Sequence, residues 1–145
     1  KGATTIWEHW DGMKDDGSMW SADMNSFNHY AYGAIGEWMY RAMAGIEADP
    51  EYPGFKHAIL YPRIGGNLKY TAGKYHSIYG DVGVKWEVQG KQITLTVQIP
   101  VNTTAEIRLD QAKAVLESDG LTFIREADYM AAEAGSGTYQ IVFEQ

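Results

Sequence analysis

Glu8 stands in the run Ile6-Trp7-Glu8-His9-Trp10-Asp11-Gly12, a carboxylate between two indoles. Apolar neighbours strip water from a carboxylate and raise its pKa. A glutamate tuned in that way exchanges protons usefully near neutral pH. Glycoside hydrolysis is one chemistry that needs such groups, as a pair of carboxyls facing each other across the scissile bond. A loop glutamate that caps a helix or makes a surface ion pair has the same local sequence, and spacing alone leaves both readings open.

Two histidines lie close in sequence to this run. His9 adjoins Glu8 and either orients it or faces solvent. His29 is placed to donate a hydrogen bond to a sugar hydroxyl, or to sit as a satisfied interior histidine. With Glu8 they form no HExxH or other compact ligand spacing, so no metal is expected. Asp11, Asp15, Asp16 and Asp23 supply hard oxygen ligands but match no EF-hand loop, and read as a solvated acidic stretch. No Walker loop, no GxGxxG after a strand and no GxSxG elbow is present, so no cofactor is expected. Asn102-Thr103-Thr104 fits a glycosylation sequon, a short pattern that also arises by chance.

These residues need elements to hold them. Residues 1–25 follow no period and read as a long loop rich in Trp, and Trp7, Trp10 and Trp20 argue against disorder. Over 26–47 the residues Phe27, Tyr30, Ala31, Ala34, Ile35, Trp38, Ala42 and Ile46 keep the i, i+3, i+4 rhythm of a helix. Asn25 or Ser26 is a suitable cap. His29, Gly33, Gly36 and Tyr40 share the opposite face. Each glycine costs roughly 1 kcal/mol relative to Ala inside a helix, so this face is expected to meet another backbone or a ligand closely. A helix packed on both sides belongs to an α/α barrel or a large bundle.

The segment DPEYPG at 49–54 is a helix stop and a domain joint. Beyond it come short strands at 56–61, 67–76, 80–89, 91–99, 103–109, 113–117, 121–126 and 138–144. VKWEVQ-GK-QITLTVQI alternates strictly across a Gly-containing turn, which predicts a hairpin. The organisation expected is α+β: residues 1–54 as the end of a helical domain, and 55–145 as an antiparallel β-sandwich.

Bulk properties narrow the partners. Of 145 residues, 45% are hydrophobic and 21% charged, as in a folded soluble domain. A net charge of −7 with no basic run argues against nucleic acid and anionic membranes. No apolar stretch nears the ~20 residues of a membrane span. There is no cysteine, which excludes thiol chemistry and disulfides. Five Trp and ten Tyr suit either a core or a sugar-binding surface. The start, KGATTIWEHW, has neither an initiator Met nor a signal-peptide pattern, so the chain is expected to be a piece of a larger protein.

TTIWEHWDG, SFNHYAYGAIGEWMYRAMAGI and PGFKHAILYPRIGG together resemble the C-terminal part of bacterial α-L-rhamnosidases of glycoside hydrolase family 78. The likeness continues through Ser77-Ile78-Tyr79-Gly80, IPVNTTAEIRL and Gly135-Ser136-Gly137-Thr138-Tyr139, and so covers essentially the whole chain. It implies the last loop and helix of an (α/α)6 barrel followed by a β-sandwich. It implies an inverting exo-hydrolase that releases terminal L-rhamnose from rhamnosides. On this sequence Glu8 then matches the carboxylate that activates water, and His29 the histidine that contacts the sugar. Trp7, Trp10 and Trp20 would be pocket walls. His9 stands where the family often has Arg, which alters local hydrogen bonding. The family's general acid lies upstream, on barrel helices outside this chain, so these residues alone are expected to be inactive. The alternative is a non-catalytic carbohydrate-binding or structural β-sandwich with a helical leader.

Overall fold

The computed structural model describes residues 1–145. The chain divides into two compact units, Lys1–Glu37 and Trp38–Gln145.

The first unit is held by turns rather than by long regular elements. Met13 and Met19 form an isolated antiparallel bridge. Inside it the Lys14 N–H donates to Ser18 O at 2.8 Å and the Gly17 N–H to Lys14 O at 3.1 Å. Asp16 completes the turn by accepting from the Ser18 N–H at 2.9 Å and the Ser18 hydroxyl at 2.6 Å. That hydroxyl, followed by the amide, holds the Asp16 carboxyl below the usual aspartate range.

The helical run is shorter than its periodicity predicts and changes pitch along its length. A 3-10 turn spans Tyr30–Gly33, one α-helical turn (α1) spans Ala34–Trp38, and a π-helical turn spans Met39–Ala44. Residues 26–29, expected to be helical, are not. His29, not Asn25 or Ser26, stands at the N-cap position, and it makes no side-chain cap bond. Gly45, at φ 74°, ends the run in the left-handed region, and its N–H donates to Tyr40 O. Ile46, expected in the helix, starts strand β1. Neither glycine on the predicted contact face is approached by anything: a Cβ on Gly33 or Gly36 would meet no atom within 4 Å.

The second unit is a sandwich of two five-stranded sheets. One is ordered β1 (Ile46–Ala48), β2 (His57–Leu60), β6 (Thr104–Asp110), β9 (Tyr129–Ala134), β8 (Ile124–Arg125). The other is ordered β3 (Tyr70–Ser77), β4 (Gly80–Gln89), β5 (Gln92–Ile99), β10 (Gly137–Glu144), β7 (Ala114–Glu117). Seven pairings are antiparallel, whereas β2 and β6 run parallel, with His57 opposite Thr104. Alternation of apolar residues specifies a face and not a direction, so sequence pattern does not reveal that pair.

Alternating side chains fill the core. Ile93, Leu95, Val97 and Ile99 of β5 are buried, as are Ala105, Ile107 and Leu109 of β6. Val82, Val84 and Trp86 of β4 join Ile141 and Phe143 of β10 in the same cluster. The predicted hairpin forms with Gln89 opposite Gln92. Gly90 takes the first central position of its turn at φ 65°, a conformation that suits glycine. The segment Tyr129–Ala134, absent from the sequence expectation, is alanine-rich and reads poorly as a strand. It is recruited by β6, with Ala132 opposite Ile107 and Ala134 opposite Ala105.

Candidate active site

Glu8 lies on an extended segment that runs antiparallel to the segment ahead of the helical run. The Glu8 N–H donates to Ser26 O at 2.8 Å, and the His29 N–H donates to Ile6 O at 2.9 Å. The Thr5 hydroxyl also donates to Phe27 O. Within this clasp the Ser26 N–H donates to Glu8 Oε2 at 3.2 Å in a partly buried setting. The side chain of Glu8 is thereby tied to the segment that leads, three residues later, to His29.

The rings sort into three groups. The Trp7 ring packs edge-on against Phe27, with centroids 4.8 Å apart and planes at 77°. His9 lies against Trp20 at 4.7 Å. His29 is half-buried and sits 5.2 Å from the Tyr32 ring and 6.2 Å from Tyr30. Trp10 is 80% exposed and Trp20 45%. The two indoles flanking Glu8 in sequence thus have different settings, Trp7 on Phe27 and Trp10 toward solvent. His9 orients toward Trp20, and its Nε2 is buried without a hydrogen-bond partner.

Gly12 explains why an Asp-Gly turn follows the tryptophans. It is buried, and a Cβ there would lie 3.1 Å from His9 O and 3.4 Å from both Asn25 Oδ1 and the Phe27 ring. The Trp20 N–H donates to Gly12 O at 3.0 Å, which closes the loop back on itself. Asn25 Oδ1 is buried beside it without a partner. Sequence reading missed Thr5, Ser26 and Phe27 as supports of the segment that carries Glu8. Their contacts span 18 to 22 residues, a separation at which no local period operates. No three His, Asp or Glu side chains converge as metal ligands would.

Comparisons with known proteins decide the family. Residues 45–122 match the bacterial α-L-rhamnosidase C-terminal domain, and residues 1–43 match the bacterial α-L-rhamnosidase six-hairpin glycosidase domain. The chain belongs to the bacterial α-L-rhamnosidase family. An α-L-rhamnosidase of Streptomyces avermitilis is 41% identical over 143 residues, 97% of this chain and 14% of that protein. One from Alteromonas sp. is 30% identical over 99% of this chain and 15% of its own length. The crystal structure of the S. avermitilis α-L-rhamnosidase complexed with L-rhamnose superposes with a TM-score of 0.77 at 38% identity, covering 97% of this chain and 14% of that one. This rhamnosidase-family chain therefore spans about a seventh of the relatives it matches, and Glu8 and His29 both fall in the glycosidase part.

Proposed function

We propose that this chain is the segment of an inverting exo-α-L-rhamnosidase that supplies the general base. Glu8 is the carboxylate that takes a proton from the attacking water. His29 donates a hydrogen bond to the sugar, and Trp7, Trp10 and Trp20 form apolar wall around it. The observation that carries this reading is the clasp: Glu8 Oε2 is held by the Ser26 N–H on the segment that leads into His29. A base must be held in place to deprotonate water along one line of attack, and a backbone amide does so without a proton to lose in the working pH range.

Inversion requires a second carboxyl ≈ 6.5–9.5 Å from the first, acting as general acid with water between them. On this proposal that acid belongs to the remainder of the barrel, which also covers the exposed helical run, where Tyr30 is 89% and Ile35 61% exposed. The assay is release of nitrophenol from an aryl α-L-rhamnoside. The purified 145-residue chain should release none above the buffer rate, while the enzyme containing the whole barrel should turn the substrate over. Turnover by the chain alone would defeat the division of labour proposed.

A further inference from the structure

A cleft of about 560 Å³ opens on the sandwich between the β1–β2 connection and the β5–β6 turn. None of its lining residues has a role in the reaction proposed above. Its floor is the parallel pairing of β2 with β6, where His57 Nδ1 lies 2.7 Å from the Thr104 hydroxyl. One wall carries Tyr52, whose ring is half-exposed and lies 5.6 Å from the His57 ring. Pro50 and Pro53 bracket that tyrosine, and its N–H donates to Asp49 O at 3.1 Å, so the ring stands on a stiff loop. The facing wall is tied across the cleft by Lys56, whose Nζ donates to Asn102 O. The buried Thr103 anchors that turn from behind by donating to Pro100 O at 2.7 Å.

The charges select the ligand. Asp49, Glu106 and Glu133 line the cleft against Lys56, with Arg108 paired to Glu106, which leaves a net acidic lining that is unfavourable for an anion. Glu106 and Glu133 face each other in register across β6 and β9, an opposition that costs stability unless it is compensated. Arg108 pairs with Glu106, and Glu133 stands across the strand as a further acceptor. No group of these side chains is arranged to hold a metal ion. A neutral ligand rich in hydroxyls satisfies all of this: its hydroxyls donate to carboxylates and accept from amide, hydroxyl and amine, and an apolar C–H face lies on the tyrosine ring.

We infer that this cleft is a saccharide-binding site of the sandwich, built from residues other than those of the catalytic wall, taking a neutral sugar on Tyr52 with Glu133 and Asn102 as hydroxyl partners. It rests on the rhamnosidase reading only for the choice of probe. The 15N-labelled chain is titrated by NMR with L-rhamnose, with D-glucose as a neutral sugar of other stereochemistry, and with inorganic phosphate. Saturable shifts at Tyr52, His57 and Asn102 with either sugar are expected, with affinity in the millimolar range. Tyr52→Ala and, separately, Glu133→Gln should each weaken binding about tenfold or more, with the remaining amide spectrum unchanged. No saturation with either sugar, an equal response to phosphate, or affinity unmoved by both substitutions overturns the site. The titration is read at the sandwich and Glu8 is read by turnover, so the two readings fail separately.

Discussion

The indole Nε1 of Trp86 donates to the main-chain carbonyl of Met43 at 2.8 Å. The last carbonyls of a helix lack partners within it. In this chain the sandwich supplies them, since the Arg63 N–H donates to Ala42 O at 2.9 Å and the Tyr61 N–H to Gly45 O at 2.8 Å. Trp86 is fully buried, so its one polar atom is spent on ending the helical run. Trp86→Phe keeps most of the apolar volume and removes that donor. It should lower the stability of the chain by about 1–3 kcal/mol, the range for leaving a buried polar group unpaired, read as a shift in urea midpoint with an unchanged slope.

Gly73 and Ala44 form a second part of the same joint. A Cβ on Gly73 would come within 2.6 Å of Ala44 Cβ, too close for two fixed atoms. Gly73→Ala should destabilise by about 1–3 kcal/mol through overpacking. Ala44→Gly in the same background should recover part of that loss, and a double-mutant cycle measures the coupling.

Gly36 gives a test whose sign depends on context. Nothing lies within 4 Å of a Cβ there in this chain, and its position is helical. Gly36→Ala should stabilise the 145-residue chain by roughly 1 kcal/mol from helix propensity. In the enzyme with its whole barrel the same substitution should destabilise if, as proposed, a barrel partner occupies that face. Thermal denaturation of both proteins decides it, and stabilisation in both would contradict the proposed packing.

Tyr61 links stability to alkaline pH. Burial raises the pKa of its hydroxyl above 10.0, although the Arg63 guanidinium, 3.2 Å from the ring centroid, pulls the other way. The hydroxyl donates to Asp110 at 3.2 Å. A raised pKa means the unfolded chain loses this proton first. The contribution is therefore complete below pH 10 and is lost as pH rises through the folded value. Denaturation midpoints measured from pH 8 to 11.5 should fall more steeply in the parent than in Tyr61→Phe.

How much of this was legible in the sequence differs between the two units. In the sandwich, Gln92–Ile99 and Thr104–Asp110 bury every second residue, so alternation located their strands and inward faces. Ile46–Ala48 is too short to show a period, and the alanines of Tyr129–Ala134 have weak strand preference; pairing across the sheet defines both, whereas Ile124–Arg125 falls inside the strand expected at 121–126. Ahead of the sandwich, the apolar rhythm over 26–47 outran the helix itself. Residues 26–29 are instead committed to the clasp with Ile6 and Glu8. Glu8 stood out through its flanking tryptophans and the motif resemblance. Ser26, which holds it, did not, because an amide donor carries no side-chain signature.

The central claim is that Glu8 is the base. Its direct measurement is kcat for an aryl α-L-rhamnoside with Glu8→Gln in the enzyme containing the whole barrel, with folding checked by circular dichroism and thermal midpoint. Removing a general base should lower kcat by about 10²- to 10⁴-fold, with KM changed little and the fold retained. A correctly folded Glu8→Gln enzyme that turns over at close to the parent rate would contradict the account.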